Sequence, residues 1–168
     1  MTIEKYLYPL LKDGARVVNV SSACVHLSNI KQKSWIRTMQ DSDLTTEQIN
    51  QFVDEYLESV KNGTFNKNDY ADNGKHAEQR VSKIALTALT KVQQRKYGDM
   101  NISINAINPG HTANTDGGGA GELEKSAEHI MFLIFDASPK LRGTFMWDNR
   151  GIIDWYDAEA DFSCKGPW

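Results

Sequence analysis

The chain of 168 residues, of which 40% are hydrophobic and 24% charged, has the size and composition of one globular domain. Its net charge of −3 argues against a nucleic-acid partner, because proteins of that class carry a basic surface. The sequence has neither an apolar run long enough for a membrane helix nor the basic and then apolar start of a secretory signal. We therefore expect no membrane partner and a cytoplasmic location.

The cysteine and histidine residues show no spacing that is typical of a disulfide framework or a metal site. Cys24 and Cys164 lie at opposite ends of the chain, and the four histidines form no HxxxH or HExxH pair. Cys24 and His26 are two residues apart, but a Cys–His nucleophile would need a third partner to orient it. The sequence thus predicts neither a metal site nor a disulfide.

The first half of the chain is predicted to contain two helices and one strand. A helix ends near Lys12, and the β-branched run Arg16–Ser22 is typical of a buried strand. The segment 23–44 shows no clear periodicity. A second helix is predicted over Thr45–Gly63, with the residue spacing of a capping box at its start.

The second half alternates helices with short strands. A helix is predicted over Ala77–Tyr97, followed by the strand Ile102–Asn108, which the turn Pro109–Gly110 ends. The glycine-rich segment 117–121 lacks the spacing of a phosphate-binding motif, and we expect it to be a connector. A last strand is predicted over Gly143–Trp147. The helix before it has an apolar stripe of five residues: Ala127, Ile130, Met131, Ile134 and Phe135.

This alternation predicts an α/β fold with a parallel sheet and flanking helices. Three strands are few for such a sheet, so the pattern indicates half of a larger doubly wound fold. A sheet of this kind would leave a strand edge unpaired, and the chain could self-associate through that edge.

Polar residues follow the two central strands at the points where these strands end. Ser21 and Ser22 come at the end of the first strand, and Asn108 with the turn Pro109–Gly110 comes at the end of the second. Lys83 lies near the start of the helix between them. Because the carboxyl ends of parallel strands share one edge of a sheet, these groups could form one ligand site, although such groups are often only structural.

Three segments, in the order Val17–Ser22 (VVNVSS), Ser82–Ala85 (SKIA) and Asn105–Gly110 (NAINPG), resemble the short-chain dehydrogenase/reductase family. The chain is similar to the C-terminal half of its NADPH-dependent carbonyl reductases. The resemblance implies a partial Rossmann-type domain over residues 1–155 and a tail over 156–168. It also implies hydride transfer from NADPH to small ketones, aldehydes or quinones by a protein that is commonly a monomer.

The resemblance further implies a role for several residues. Ser22 matches the serine that hydrogen-bonds the substrate carbonyl, and Lys83 matches the lysine that holds the nicotinamide ribose and lowers the pKa of a catalytic tyrosine. Asn19, Lys83, Pro109 and Gly110 match positions on the cofactor side of the site. The implied cofactor is NADPH.

Two departures from the family pattern bear on activity. Gln79 occupies the position of the catalytic tyrosine, four residues before Lys83, and an amide cannot deliver a proton as a phenol does. The family's first strand and glycine-rich dinucleotide turn do not occur in these 168 residues. Three hypotheses remain open: an impaired carbonyl reductase, a truncated or degenerate non-catalytic family member that acts by protein interaction, and a piece of a longer product.

Overall fold

The structure, a computed structural model, describes residues 2–110 and 120–157. A three-stranded parallel sheet lies at its centre, in the order β1-β2-β3. The strands are β1 (Arg16–Val20), β2 (Ser103–Ile107) and β3 (Phe145–Met146). In the register, Val20 of β1 lies beside Ile107 of β2, and Ile107 lies beside Met146 of β3.

Helices connect and cover these strands. Their bounds are α1 (Thr2–Leu7), α2 (Lys33–Gln40), α3 (Thr46–Lys61), α4 (Ala77–Tyr97) and α5 (Ala120–Met131), and α5 continues into a π-helical turn, Phe132–Asp136. The capping box of α3 is formed: the Gln48 backbone N–H donates to the Thr45 hydroxyl (3.2 Å), and the Thr45 N–H donates to the Gln48 side chain (2.9 Å).

The two faces of the sheet bury different helices. Ala106 and Phe145 pack in one cluster with α4, whose Ile84 and Ala88 are fully buried. On the other face, Ile107 and Met146 pack with Val18 and with the end of the α5 region. Because neighbouring residues of a strand point to opposite faces, successive residues of β2 and β3 contribute to different clusters.

The predicted α/β class and parallel sheet are confirmed, as are the helices at Thr45–Gly63 and Ala77–Tyr97 and the strand at Ile102–Asn108. The prediction that the first strand is buried is wrong. β1 pairs only with β2 in the described sheet, most of it is half-exposed, and Val20 is 42% exposed. The β-branched residues of β1 are typical of a strand with a neighbour on each side, whereas β1 lies at an edge of the described sheet.

Helix α2 and the orientation of α5 differ from the sequence prediction. α2 occupies a segment in which no element was predicted. In the α5 region, Leu133 and Ala137 are buried, whereas Met131 and Phe135 of the predicted stripe are 49% and 64% exposed. The Ala137 N–H bonds the carbonyl of Phe132, five residues back, and this wider turn changes the helical phase.

Three further predictions concern the ends of the described ranges. The glycine-rich segment 117–121 falls mainly on residues outside the described ranges, as does most of the predicted tail 156–168. The domain boundary after residue 155 remains a prediction; Trp155 is buried in the core and Tyr156 packs against it. No helix within 2–110 and 120–157 is long and apolar enough to cross a membrane.

Candidate active site

The ends of β1 and β2 lie side by side. The backbone N–H of Ser21 donates to the carbonyl of Ile107 at 2.7 Å, and the N–H of Asn108 donates to the carbonyl of Met146 at 2.8 Å. The pairing therefore extends one residue beyond each strand. Ser22 and the turn Pro109–Gly110 consequently leave the sheet at the same edge, as the sequence predicted for their strands.

The adjacent serines Ser21 and Ser22 have different surroundings. The Ser21 hydroxyl is buried and lies 2.7 Å from the hydroxyl of Thr87 in α4. Ser22 has an extended backbone and begins the short 3₁₀ turn Ala23–Val25, where its hydroxyl oxygen accepts from the N–H of Cys24 at 3.3 Å. Among the described residues the Ser22 hydroxyl donates to no acceptor, so its proton is available to an oxygen atom of a ligand.

Lys83 places an ammonium group beside the end of β1. Its Nζ donates to the carbonyl of Val20 at 3.1 Å, and the side chain is half-exposed. Gln79 lies four residues earlier in α4, and its side chain is also half-exposed. Residues four apart are neighbours on one helix face, so the amide of Gln79 and the ammonium of Lys83 belong to one surface.

The start of α4 is fixed by Arg80, a residue that the sequence analysis did not single out. Its side chain is 2% exposed, with Nη2 2.7 Å from the Asp72 carboxylate and Nε donating to the Asn29 side chain at 3.1 Å. Asp72 and Asn73 have φ of 50° and 54°, in the left-handed region that these residue types tolerate. Arg80 thus secures the irregular segment immediately before Gln79. In the sequence, the charge of Arg80 between the apolar positions of α4 was the signal that could have identified this residue.

The turn Pro109–Gly110 has one internal hydrogen bond and one close neighbour. The N–H of Gly110 donates to the Asn108 side chain at 3.3 Å. Gly110 has φ +84°, and a Cβ built there would lie 3.2 Å from the Cβ of Asp148, which follows β3. Asp148 therefore lies against the predicted cofactor-side turn, and the sequence offered no signal for it.

Asn19 lies on the side of β1 that faces α4. Its side-chain amide donates to the Thr90 hydroxyl at 2.8 Å and to the Gln93 side chain at 3.3 Å, and the Tyr8 hydroxyl donates to the same oxygen of Gln93 at 3.1 Å. Burial raises the pKa of Tyr8 to about 12, so the phenol stays protonated as a donor. These bonds give Asn19 a role in fastening β1 to α4, and its cofactor role remains a prediction.

The other candidate residues of the sequence analysis lie in the short turns after β1. Cys24 and His26 are both buried. His26 Nδ1 accepts from the N–H of Ser28 at 3.2 Å, and the Ser28 hydroxyl lies 2.9 Å from the same nitrogen. Within the described residues, no group of three or more His, Cys, Asp or Glu side chains is arranged to hold a metal ion.

Comparison with known proteins gives the class to which this fold and site correspond. No family model matches the chain. The chain is 37% identical over 114 residues to (−)-isopiperitenone reductase from Mentha piperita. This alignment covers 66% of the chain and 34% of the relative. It is 29% identical over 161 residues to carbonyl reductase [NADPH] 1 from Bos taurus, covering 89% of this chain and 55% of the relative.

The fold comparison agrees with the sequence comparison. The structure of salutaridine reductase from Papaver somniferum superposes with a TM-score of 0.72 at 27% identity, covering 86% of this chain and 49% of that one. The resemblance drawn from the sequence is confirmed: the homologues of this chain are reductases of the short-chain dehydrogenase/reductase family. The chain spans about half the length of the carbonyl and salutaridine reductases that it matches.

Proposed function

We propose that this chain carries the carbonyl-binding side of an NADPH-dependent carbonyl reductase site, with impaired turnover because Gln79 replaces the proton donor. One observation carries this proposal. Ser22, Lys83 and the turn Pro109–Gly110 are gathered at the carboxyl ends of two neighbouring parallel strands, where open α/β sheets bind ligands. The carbonyl and salutaridine reductases among its homologues support the substrate class.

The described residues fit the nicotinamide end of NADPH. Lys83 uses one ammonium hydrogen on Val20, so two remain for the hydroxyl groups of a ribose. The turn Pro109–Gly110 leaves the sheet beside it. When bound, NADPH would supply the hydride to the carbonyl carbon. The fit covers this end of the cofactor only, since the glycine-rich turn that would bind its pyrophosphate does not occur in the 168 residues.

The residues of this chain would act on the carbonyl oxygen. The Ser22 hydroxyl donates a hydrogen bond to it, and the ammonium of Lys83 stabilises the negative charge that develops there. The Gln79 amide adds a second hydrogen bond but retains its protons, because an amide is not an acid near neutral pH. Loss of a positioned general acid lowers the rate by about 10²–10⁴-fold.

Calorimetric titration of NADPH into the 168-residue protein, with NADPH oxidation by a quinone followed in parallel, tests the proposal. We expect weak binding without measurable oxidation, and binding that is lost in Lys83→Met. Lys91→Met is the matched control, because Lys91 lies eight residues later in α4 against the Tyr156 ring. Oxidation by the wild-type chain would contradict the impairment. Binding that survives in Lys83→Met would contradict the site.

A second candidate function is that of a non-catalytic family member that acts by protein interaction. The edge position of β1 favours it, together with large apolar side chains that are about half-exposed or more on β1, on α5 and on the π-helical turn after it: Val20, Leu123, Met131 and Phe135. Unpaired strand edges and exposed apolar side chains promote association. Absence of NADPH binding by the folded chain would favour this candidate over the first.

Light scattering over a wide concentration range tests the second candidate. We expect association that weakens in Phe135→Lys, whereas Leu57→Lys, an exposed position on α3, leaves it unchanged. A monomer at every concentration would count against self-association.

A further inference from the structure

A cavity of about 340 Å³ lies between α2, α3 and the segment 62–70, and its volume is within the range of small-molecule sites. Five aromatic side chains line it: Trp35, Phe52, Tyr56, Phe65 and Tyr70. Ring centroids lie 5.2 Å apart for Trp35 and Phe52, and between 5.6 and 6.0 Å apart among the other three rings. Packed rings therefore form part of the cavity wall, and polar side chains form the rest.

Three carboxylates also line this cavity, and neither lysine nor arginine is among its lining residues, all of which the structure describes. They are Glu55, Glu58 and Asp69. Glu55 is held in place, since one oxygen accepts from the indole N–H of Trp35 and the other from the amide of Gln51, each at 3.0 Å. The cavity thus combines a net negative charge with aromatic walls.

The charges of two of the cavity carboxylates also act on Tyr70. Burial, followed by the neighbouring Tyr56 and the charges of Asp69 and Glu55, raises the pKa of Tyr70 to about 12. The same carboxylates that oppose a phenolate at this position would favour a cation there.

We propose that this aromatic and acidic cavity binds an organic cation with an alkylated ammonium group. Aromatic faces attract such cations through the ring quadrupole, and carboxylates nearby add a longer-range attraction. A metal ion is a poorer match because Ca²⁺ and Mg²⁺ require several oxygen ligands around one point, and no group of three or more His, Cys, Asp or Glu among the described residues is arranged to hold one. None of the cavity residues belongs to the Ser22 and Lys83 site, so this inference stands apart from the proposed reductase function.

Choline and 3,3-dimethyl-1-butanol are suitable probes, because they have nearly the same shape and differ in the positive charge. Titration of the 168-residue protein, followed by NMR or calorimetry, should show choline binding at least about ten-fold more tightly than the neutral alcohol. Equal affinities, or no binding of choline by the folded protein, would overturn the proposal.

Variants locate the binding in this cavity. Glu58→Gln removes one charge from an exposed side chain without a change of shape, and Phe65→Leu removes one ring while leaving an apolar group. We expect each to weaken choline binding several-fold. Glu47→Gln is the matched control, since Glu47 is an exposed carboxylate in the first turn of α3 and does not line the cavity. An equal loss in Glu47→Gln and Glu58→Gln would show that only the overall charge matters and would contradict the site.

Discussion

The hydroxyl of Ser21 lies 2.7 Å from the hydroxyl of Thr87, which connects the end of β1 to the middle of α4. Both groups are buried. The next residue, Ser22, turns its hydroxyl to the start of a 3₁₀ turn instead. Of two chemically identical neighbours, one therefore fixes the helix that presents Lys83, and the other is the serine that would bond the carbonyl in the proposed reductase site.

We expect Ser21→Ala to lower the free energy of unfolding by about 1–3 kcal/mol, because the buried Thr87 hydroxyl loses its partner. Urea denaturation measures this change. The double variant Ser21→Ala/Thr87→Val should recover part of the loss, since both polar groups are then removed together. An unchanged denaturation midpoint in Ser21→Ala would show that the bond does not contribute to stability.

The turn Pro109–Gly110 should tolerate an added methyl group poorly. Gly110→Ala places a residue with φ +84° in the left-handed region, which costs about 1–2 kcal/mol, and also forces its Cβ against Asp148. Gly63→Ala is the control, because Gly63 has φ +69° and nothing within 4 Å of a built Cβ. Thermal unfolding should show the larger loss for Gly110→Ala. Equal losses would exclude a close contact with Asp148.

The spacing of Gln79 and Lys83 can be tested without a cofactor. In Gln79→Tyr we expect the pKa of the introduced phenol to fall below its ordinary value of about 10, because an ammonium one helical turn away favours the phenolate. Ultraviolet difference titration against the wild type measures this pKa. In Gln79→Tyr/Lys83→Met the shift should disappear. A phenol that titrates identically in both variants would place Lys83 too far from position 79.

His26 predicts a dependence of stability on pH. Burial lowers the pKa of His26, although a hydrogen bond with the Asp154 backbone and the charges of Asp157 and Asp154 partly oppose this. The contribution of neutral His26 to the free energy of unfolding is fully present above the pKa of histidine in the unfolded chain, which is about 6.5. It is lost as the pH falls towards the lower pKa of His26 in the folded protein, because the unfolded chain takes up the proton first.

Urea denaturation at about pH 7.5 and about pH 5.5 should therefore show a lower midpoint at the acid pH. In His26→Asn, whose side-chain oxygen can still accept from the N–H of Ser28, we expect a smaller difference between the two conditions. The same difference in both proteins would assign the dependence to other groups.

The parts of the fold that the sequence predicted are those with strong local signals. α3 has a capping box and α4 has regular apolar spacing over 21 residues, so local preference and tertiary packing agree in both helices. β2 is buried at every position, as its apolar run indicated. That Ser22 and the Pro109–Gly110 turn leave the sheet at one edge followed from parallel strand order, whereas the position of Lys83 also depends on how α4 packs.

The parts that the sequence did not predict depend on tertiary contacts. α2 has eight residues and no side-chain cap, and it is held by packing of Trp35 and Met39 into the core. The ion pair of Arg80 with Asp72 spans an irregular segment that no periodicity describes. The buried face of the α5 region was predicted wrongly because the π-helical turn alters the helical phase. A second reason is that β1, beside this region, lacks a second neighbouring strand.

The all-parallel sheet also determines when its first strand finds a partner. Arg16 pairs with Ser103, so β1 leaves the ribosome about 90 residues before β2, the strand with which it pairs. At translation rates of about 5–20 residues per second, β1 is synthesised roughly 5–18 s before β2. Pairing across such a long connection is also slow in refolding. Synthesis of this chain therefore passes through a stage in which the β2-facing edge of a β-branched strand has no partner, and that stage is where chaperone binding would have its largest effect on yield.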